Sequence, residues 1–346
     1  MLSKKSFKGF LGLGLFCLAL IIVTLASCSK KGELPAISDA TNMATVRFLY
    51  SDWPPDLIAY LAEKKGYFKK NNVNVELILV SGYDELLKKK NDPNIPYIWS
   101  FTLLDALKEQ ATGEESDGQI LLVEDYSAGA DAVMASGQSE IKTIADLKSR
   151  KVGVESGTVG EFFLNILLKR EGLSLDDLQV YSLPSEEIPG ALKSGQIEAG
   201  VAYQPDVSTA LNDGAVLLSD TKQERGVIVD VYVGKRSHIQ ANKEAYQNFA
   251  KSIFEAADYY NAHPEESIDI MKDAFGMDAS ELKDTFDTLQ IASLRDNQTA
   301  FNRSSGFTSL YNLGKQAEQF LEEQDIIKKP LDFDVLFGSN VVDGIN

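Results

Sequence analysis

The sequence predicts an α/β protein of two lobes. Each lobe is a mixed, mostly parallel sheet flanked by helices, and a helical C-terminal tail lies on the first lobe. Three observations carry this expectation. Short apolar strands alternate with helical segments from Val46 to Leu218, the rhythm of parallel sheets covered on both faces. Two apolar segments, 130–135 and 227–234, fall where the chain would pass between sheets. After the second of them the pattern is almost purely helical.

The elements follow in order. Strands are expected at 46–50, 73–80, 97–102 and 119–125, with helices at 57–65, from 84 to 90 and at 103–111. Pro54-Pro55 stops the first strand and presets the helix behind it. A second run places strands at 151–155, 179–183, 199–203 and 215–218. Helical segments stand at 144–149, 159–171, 187–194 and 206–211. The tail is helical over 243–261, 264–275, 279–289 and 308–324. Two consecutive domains would leave the late strand at 227–234 without a sheet, so insertion of one lobe in the other is the better reading. The boundaries are then 45–133 with 232–346 for lobe one and 134–231 for lobe two.

The amino terminus reads as an export signal. Lys4, Lys5 and Lys8 precede an uncharged apolar run from Gly9 to Ala26, which ends Leu25-Ala26-Ser27-Cys28. The small residues before Cys28 resemble the bacterial lipobox, in which the cysteine is acylated after cleavage; an uncleaved membrane anchor is the alternative. Residues 1–27 are therefore expected to be a lipoprotein signal peptide and 28–44 a lipid-anchored tether, with the rest of the chain outside the cytoplasmic membrane.

Composition excludes several functions. Without 1–27 the chain has 31 basic and 51 acidic residues, a net charge of −20. Such a surface repels nucleic acid and anionic headgroups. Cys17 leaves with the signal and Cys28 is acylated, so no disulfide staples the fold. The only histidines are His238 and His263, both near helix edges, and no Cys/His cluster suits zinc. Nucleotide-binding glycine loops and a nucleophile elbow are absent too. No cofactor, metal or catalytic residue is expected.

Several stretches resemble solute-binding proteins of the nitrate/taurine/aliphatic-sulfonate type, a superfamily that includes pyrimidine-precursor binders of the thiamine pathway. They are the run from Glu63 through Gly66 and Phe68 to Glu76, the run Ile144-Ala-Asp146-Leu147-Lys-Ser-Arg-Lys151-Val-Gly-Val, and Ala191 to Pro205, where Tyr203 replaces the usual Trp. The 91–96 stretch departs from the family pattern, so the wall of the first lobe can differ. The resemblance implies a two-lobed periplasmic-binding-protein-like fold (type II) that closes on its ligand.

In open α/β sheets ligands sit beyond the carboxyl ends of the strands. Asp52 and Trp53 follow the first strand, and an exposed Trp beside an acid can stack a ring and accept from its amines. Trp53 folded into the core is the competing reading. Tyr83 is a second aromatic candidate, or a plain turn residue. Thr102 and Asp105 open a helix, where Asp105 either contacts ligand or helps the cap. Ser156 and Thr158 precede a helix whose free N–H groups could take an anion. If Thr158 and Glu161 form a capping box, however, Glu161 fills that position. Gln204, Asp131 and Asp230 complete the set. The loops after strands hold many acids and no Arg or Lys, which favours a cationic or neutral nitrogenous ligand, such as an aminopyrimidine or another amine, over an anion.

The expected function is solute capture for an ABC importer, with permease and ATPase subunits as partners and a monomeric, membrane-tethered binding protein. The alternatives are a binder of a small anion (nitrate, taurine or an aliphatic sulfonate) and a pyrimidine-precursor-synthesising enzyme of the same superfamily.

Overall fold

A computed structural model describes residues 44–345 except 52, 82, 93, 114–116, 275, 304–305, 307–308 and 339–340. The signal, Cys28 and the tether lie outside the described residues. So does Asp52, and Tyr83 is described in its backbone alone.

Among the described residues, eleven strands form two sheets. The first contains β1 (Thr45–Tyr50), β2 (Asn74–Leu79), β3 (Tyr97–Thr102), β4 (Gly118–Ser127), β10 (Val229–Lys235) and β11 (Leu289–Ile291), in the order β11-β4-β10-β3-β1-β2. The second contains β5 (Asp131–Ala135), β6 (Lys151–Gly153), β7 (Gln179–Tyr181), β8 (Ala199–Tyr203) and β9 (Val216–Asp220), in the order β7-β6-β8-β5-β9. The α/β architecture read from the sequence is borne out, and the sheets are more mixed than expected. Parallel pairing is confined to β1 with β2 and β3, and to β6 with β7 and β8. β5 and β10 run antiparallel to their neighbours because each receives the chain from the other sheet.

The segments expected to cross between sheets are themselves strands. The passages lie just outside them, at 128–130 and 221–228. Thr221 ties the two passages together. Its buried hydroxyl accepts the Gly129 N–H at 2.9 Å and lies 2.6 Å from the Ser127 hydroxyl. The Thr221 N–H in turn donates to the Asp131 carbonyl at 3.0 Å.

The core of the first sheet shows why the tail is helical and apolar on one face. Helix Lys243–Ala262 buries Tyr246, Phe249, Ile253 and Phe254. Phe249 stacks on Phe68 with ring centres 5.8 Å apart and meets Phe48 at 6.1 Å. Truncating a ring in such a position costs roughly 3–5 kcal/mol. The later helix Leu310–Glu323 buries Leu310, Leu313, Ala317, Phe320 and Leu321. It reaches beyond the first sheet: Phe320 lies 5.5 Å from Phe162 on helix Val159–Arg170, and Glu323 pairs with Lys169 at 2.7 Å. Four tail elements escaped the sequence reading: helices Arg236–Ala241 and Phe333–Leu336, β11, and helix Leu294–Ala300. β11 is only three residues long, and helix Leu294–Ala300 follows it closely, opened by a capping box between Ser293 and Asp296. Among the described residues no helix is long and apolar enough to cross a membrane.

Candidate functional site

A cleft of about 410 Å³ opens between the two sheets. Its walls come from the ends of β1, β3, β4 and β10 in the first sheet and from β5, β8 and the start of helix Val159–Arg170 on the other side. Trp53 lines it from the first sheet and Tyr203 from the second, and Tyr203 is 51 % exposed. Phe101, Ile228 and Leu289 add apolar surface.

The turn after β1 is held by an acid. The Asp56 carboxylate accepts the Ser51 N–H at 2.8 Å and the Ser51 hydroxyl at 3.0 Å. Ser51 Oγ in turn accepts the Trp53 N–H at 3.2 Å. With Pro54 and Pro55 leading directly into helix Leu57–Lys64, this small network fixes the backbone that presents Trp53 to the cleft.

The floor is acidic. Asp105, Asp125, Asp131 and Asp230 all line the cleft, and among the described residues no Arg or Lys does. Asp105 is internally balanced: it accepts from the Thr102 hydroxyl at 2.9 Å and pairs with Lys108 at 2.8 Å. Thr102 also caps its helix, accepting the Asp105 N–H at 3.0 Å. Cleft lining and helix cap coincide in these two residues. Asp131 accepts the Ser127 hydroxyl at 2.6 Å. Burial still pushes its carboxyl up to about 6. Burial first, then the neighbouring Asp131, Asp56 and Asp105, push Asp230 up to about 7. Asp125 is held well above the usual carboxylate range by burial and then by Asp230. The Trp53 indole N–H offsets part of this for both Asp125 and Asp230. It stands beside them without the alignment of a full hydrogen bond.

Asp125 was passed over in the sequence because it lies inside a strand rather than after one. The register explains its position. Val231 faces Val123 while Asp230 faces Asp125, so Glu124 is the extra residue of a β-bulge. Bulges re-aim side chains, and here both adjacent acids end up buried. Glu124 accepts the Ser100 hydroxyl and is held well above its usual range by burial, then by Asp56 and Asp125. The available signal was Glu124-Asp125 closing an otherwise apolar strand. Asp56, between Pro55 and the helix expected from 57, carries no expectation in the sequence.

Of the remaining candidates, Gln204 lines the cleft while its side-chain oxygen accepts the Ser208 hydroxyl at 2.8 Å. Ser156 and Thr158 stand outside the lining. The Ser156 N–H donates to Ser182 Oγ at 3.2 Å, and the Thr158 hydroxyl donates to the Glu155 carbonyl at 2.7 Å. The full capping box does not form, yet Glu161 occupies the positive end of the helix, accepting the Gly157 N–H at 2.7 Å. Among the described residues no cluster of three or more His, Cys, Asp or Glu has the arrangement of a metal site.

Two mixed sheets joined by two passages, with a polar cleft between them, define the periplasmic-binding-protein fold. The crystal structure of the periplasmic aliphatic sulphonate binding protein SsuA from Escherichia coli matches it with a TM-score of 0.68 at 20% identity, over 85% of this chain and 91% of that one. Residues 115–267 match the family model described as NMT1/THI5 like. A protein of Brucella abortus (strain 2308), named as a binding protein without a stated ligand, is 26% identical over 257 residues, covering 72% of this chain and 77% of its own. An enzyme is among the relatives as well. The 4-amino-5-hydroxymethyl-2-methylpyrimidine phosphate synthase of Candida albicans (strain WO-1) is 24% identical over 242 residues, 66% of this chain and 70% of its own.

Proposed function

We propose that this protein is the extracytoplasmic solute-binding component of an ABC importer and that it captures a small, planar, nitrogenous molecule between Trp53 and Tyr203. The observation that carries the reading is the cleft itself: five aspartates, two aromatic walls and no lining Arg or Lys among the described residues. An anionic ligand there would face uncompensated carboxylates at close range, a cost that grows as water is excluded. A cationic or amine-bearing ring relieves the same charges. The anion reading loses its helix N-terminus too, because Glu161 already accepts the Gly157 N–H. Synthesis of a pyrimidine precursor is the less favoured alternative; turnover of a bound compound by the purified protein would establish it.

Trp53→Ala tests the stacking wall. Loss of one aromatic face should weaken ligand binding by roughly 1–3 kcal/mol and leave the melting temperature of the empty protein nearly unchanged. A core role would instead lower that temperature plainly, by the equivalent of about 3–5 kcal/mol. Calorimetric titration beside a thermal melt separates the two.

Capture outside the membrane requires export and retention; in this reading the 1–27 segment supplies the first and Cys28 the second. Cys28→Ser should accumulate as unprocessed precursor and, after signal-peptidase treatment, lose membrane partitioning. Normal processing and membrane retention of that variant count against the anchor.

A further inference from the structure

Resting on the reading of the cleft as a nitrogenous-ligand site, one pair of residues narrows the ligand class. β4 and β10 are adjacent, and Asp125 stands directly opposite Asp230. Thr102 of β3 stands opposite Asp230 on the other side. Directly opposed residues of antiparallel strands project from the same face, so both carboxyl groups share one patch of the cleft floor.

Both have an oxygen to spare. Asp125 is 1 % exposed, lines the cleft, and its Oδ2 has no hydrogen-bond partner in the protein. Asp230 Oδ1 has none either. Buried carboxyl oxygens are nearly always satisfied, so two orphan acceptors on residues that line one cavity mark the place of a donor supplied from outside. Water could fill the hydrogen bonds, but only a cation would let both carboxyls ionise side by side. A metal ion would need further ligands, and the described residues offer no such cluster.

The shape of the missing donor follows from its surroundings. Two acceptors side by side suit a donor with two N–H groups held rigidly in a plane, as in forked recognition of carboxylates. A single ammonium concentrates its charge at one point and carries a tighter hydration shell. Trp53 lies against the same pair, so a flat head would meet the ring and the acids together. We propose that Asp125 and Asp230 jointly clamp a planar, two-donor cation of the amidinium or guanidinium class, and that this pair sets the charge specificity of the cleft.

Benzamidine, benzylamine and benzenesulfonate share one ring and differ in the head group, so calorimetric titration of the full chain with each at millimolar concentration tests the clamp. Benzamidine should bind at least about tenfold more tightly than benzylamine, and benzenesulfonate should give no binding heat. Asp125→Asn and Asp230→Asn should each weaken benzamidine by about tenfold or more, since an amide presents a donor where the ligand also donates. Equal affinity for benzamidine and benzylamine, no binding of benzamidine, or unchanged affinity in both variants overturns the clamp while leaving the nitrogenous reading standing. Preference for benzenesulfonate overturns both. Asp125→Asn is close to isosteric and removes a buried acid; should it fail to fold, the partly exposed Asp230→Asn carries the same comparison.

Discussion

Asp230→Asn should raise the melting temperature of the empty protein at pH 8, and by much less at pH 5. Asp230 is pushed up to about 7 by burial and by Asp131, Asp56 and Asp105. Between the ordinary aspartate value near 4 and that raised value, the folded protein holds a proton that the unfolded chain has released. The unfolded state binds fewer protons there, so stability falls as pH rises through the window, and the deficit is complete above pH 7. Asp131, pushed up to about 6, adds a deficit of the same sign. Replacing Asp230 with the neutral amide removes its share and lowers the repulsion felt by Asp125. The gain at pH 8 should be roughly 2–4 kcal/mol, discounted by any water that enters the cleft. That corresponds to several degrees in a protein of this size. At pH 5 wild-type Asp230 is mostly protonated and the variant has little left to relieve. A melt series from pH 5 to 8 checks this. Equal gains at both ends, or a loss at pH 8, would mean that Asp230 already has a counter-charge and that the floor of the cleft is not electrostatically strained.

The same variant shows how far the site could be read from sequence. Thr102, Asp105, Asp131, Gln204 and Asp230 all line the cleft, and each was reached by asking which polar residues adjoin strand ends. That rule works because β3, β8 and β10 point their ends at the gap between the sheets. It led elsewhere at Ser156 and Thr158, because the Glu161 carboxylate folds back over the start of the helix they precede and accepts the Gly157 N–H, an outcome that rotamers decide and spacing does not. It passed over Asp125 because a β-bulge turns a residue inside the strand toward the cleft. Bulges depend on the register of a partner strand a hundred residues away, and no local pattern announces them. Tyr203 could be recognised as the residue in place of the family's Trp, and the structure puts its ring on the wall opposite Trp53's sheet. The fold class itself was legible because alternating strands and helices have different apolar periods. β11 and helix Leu294–Ala300 were not, since three strand residues and seven helical ones are too short for a period to show.

That unrecognised helix carries a residue on which the floor of the cleft depends. Asn297 is fully buried. Its side-chain oxygen accepts the Val123 N–H at 2.7 Å, and its amide donates to the Val123 carbonyl at 3.0 Å and to the Ser293 carbonyl at 3.2 Å. β11 pairs with β4 only at 125–127, so at Val123 the Asn297 amide replaces the missing strand. The substitution Asn297→Ala strips both partners from a buried backbone unit, one residue before the bulge at Glu124 and two before Asp125. Each orphaned group costs about 1–3 kcal/mol, so the total loss should be roughly 2–5 kcal/mol, among the largest for a single polar side chain in the molecule. Thermal melts read that loss directly. Hydrogen exchange separates a local from a general effect: the Val123 amide should lose protection first, before the amides of β1 and β3. Because the same backbone aims Asp125, benzamidine affinity should fall as well, even at temperatures where the variant is fully folded. A variant that melts with the wild type and keeps Val123 protected would show that water or a neighbouring group takes over both hydrogen bonds, and that the helix is not what positions the acidic floor.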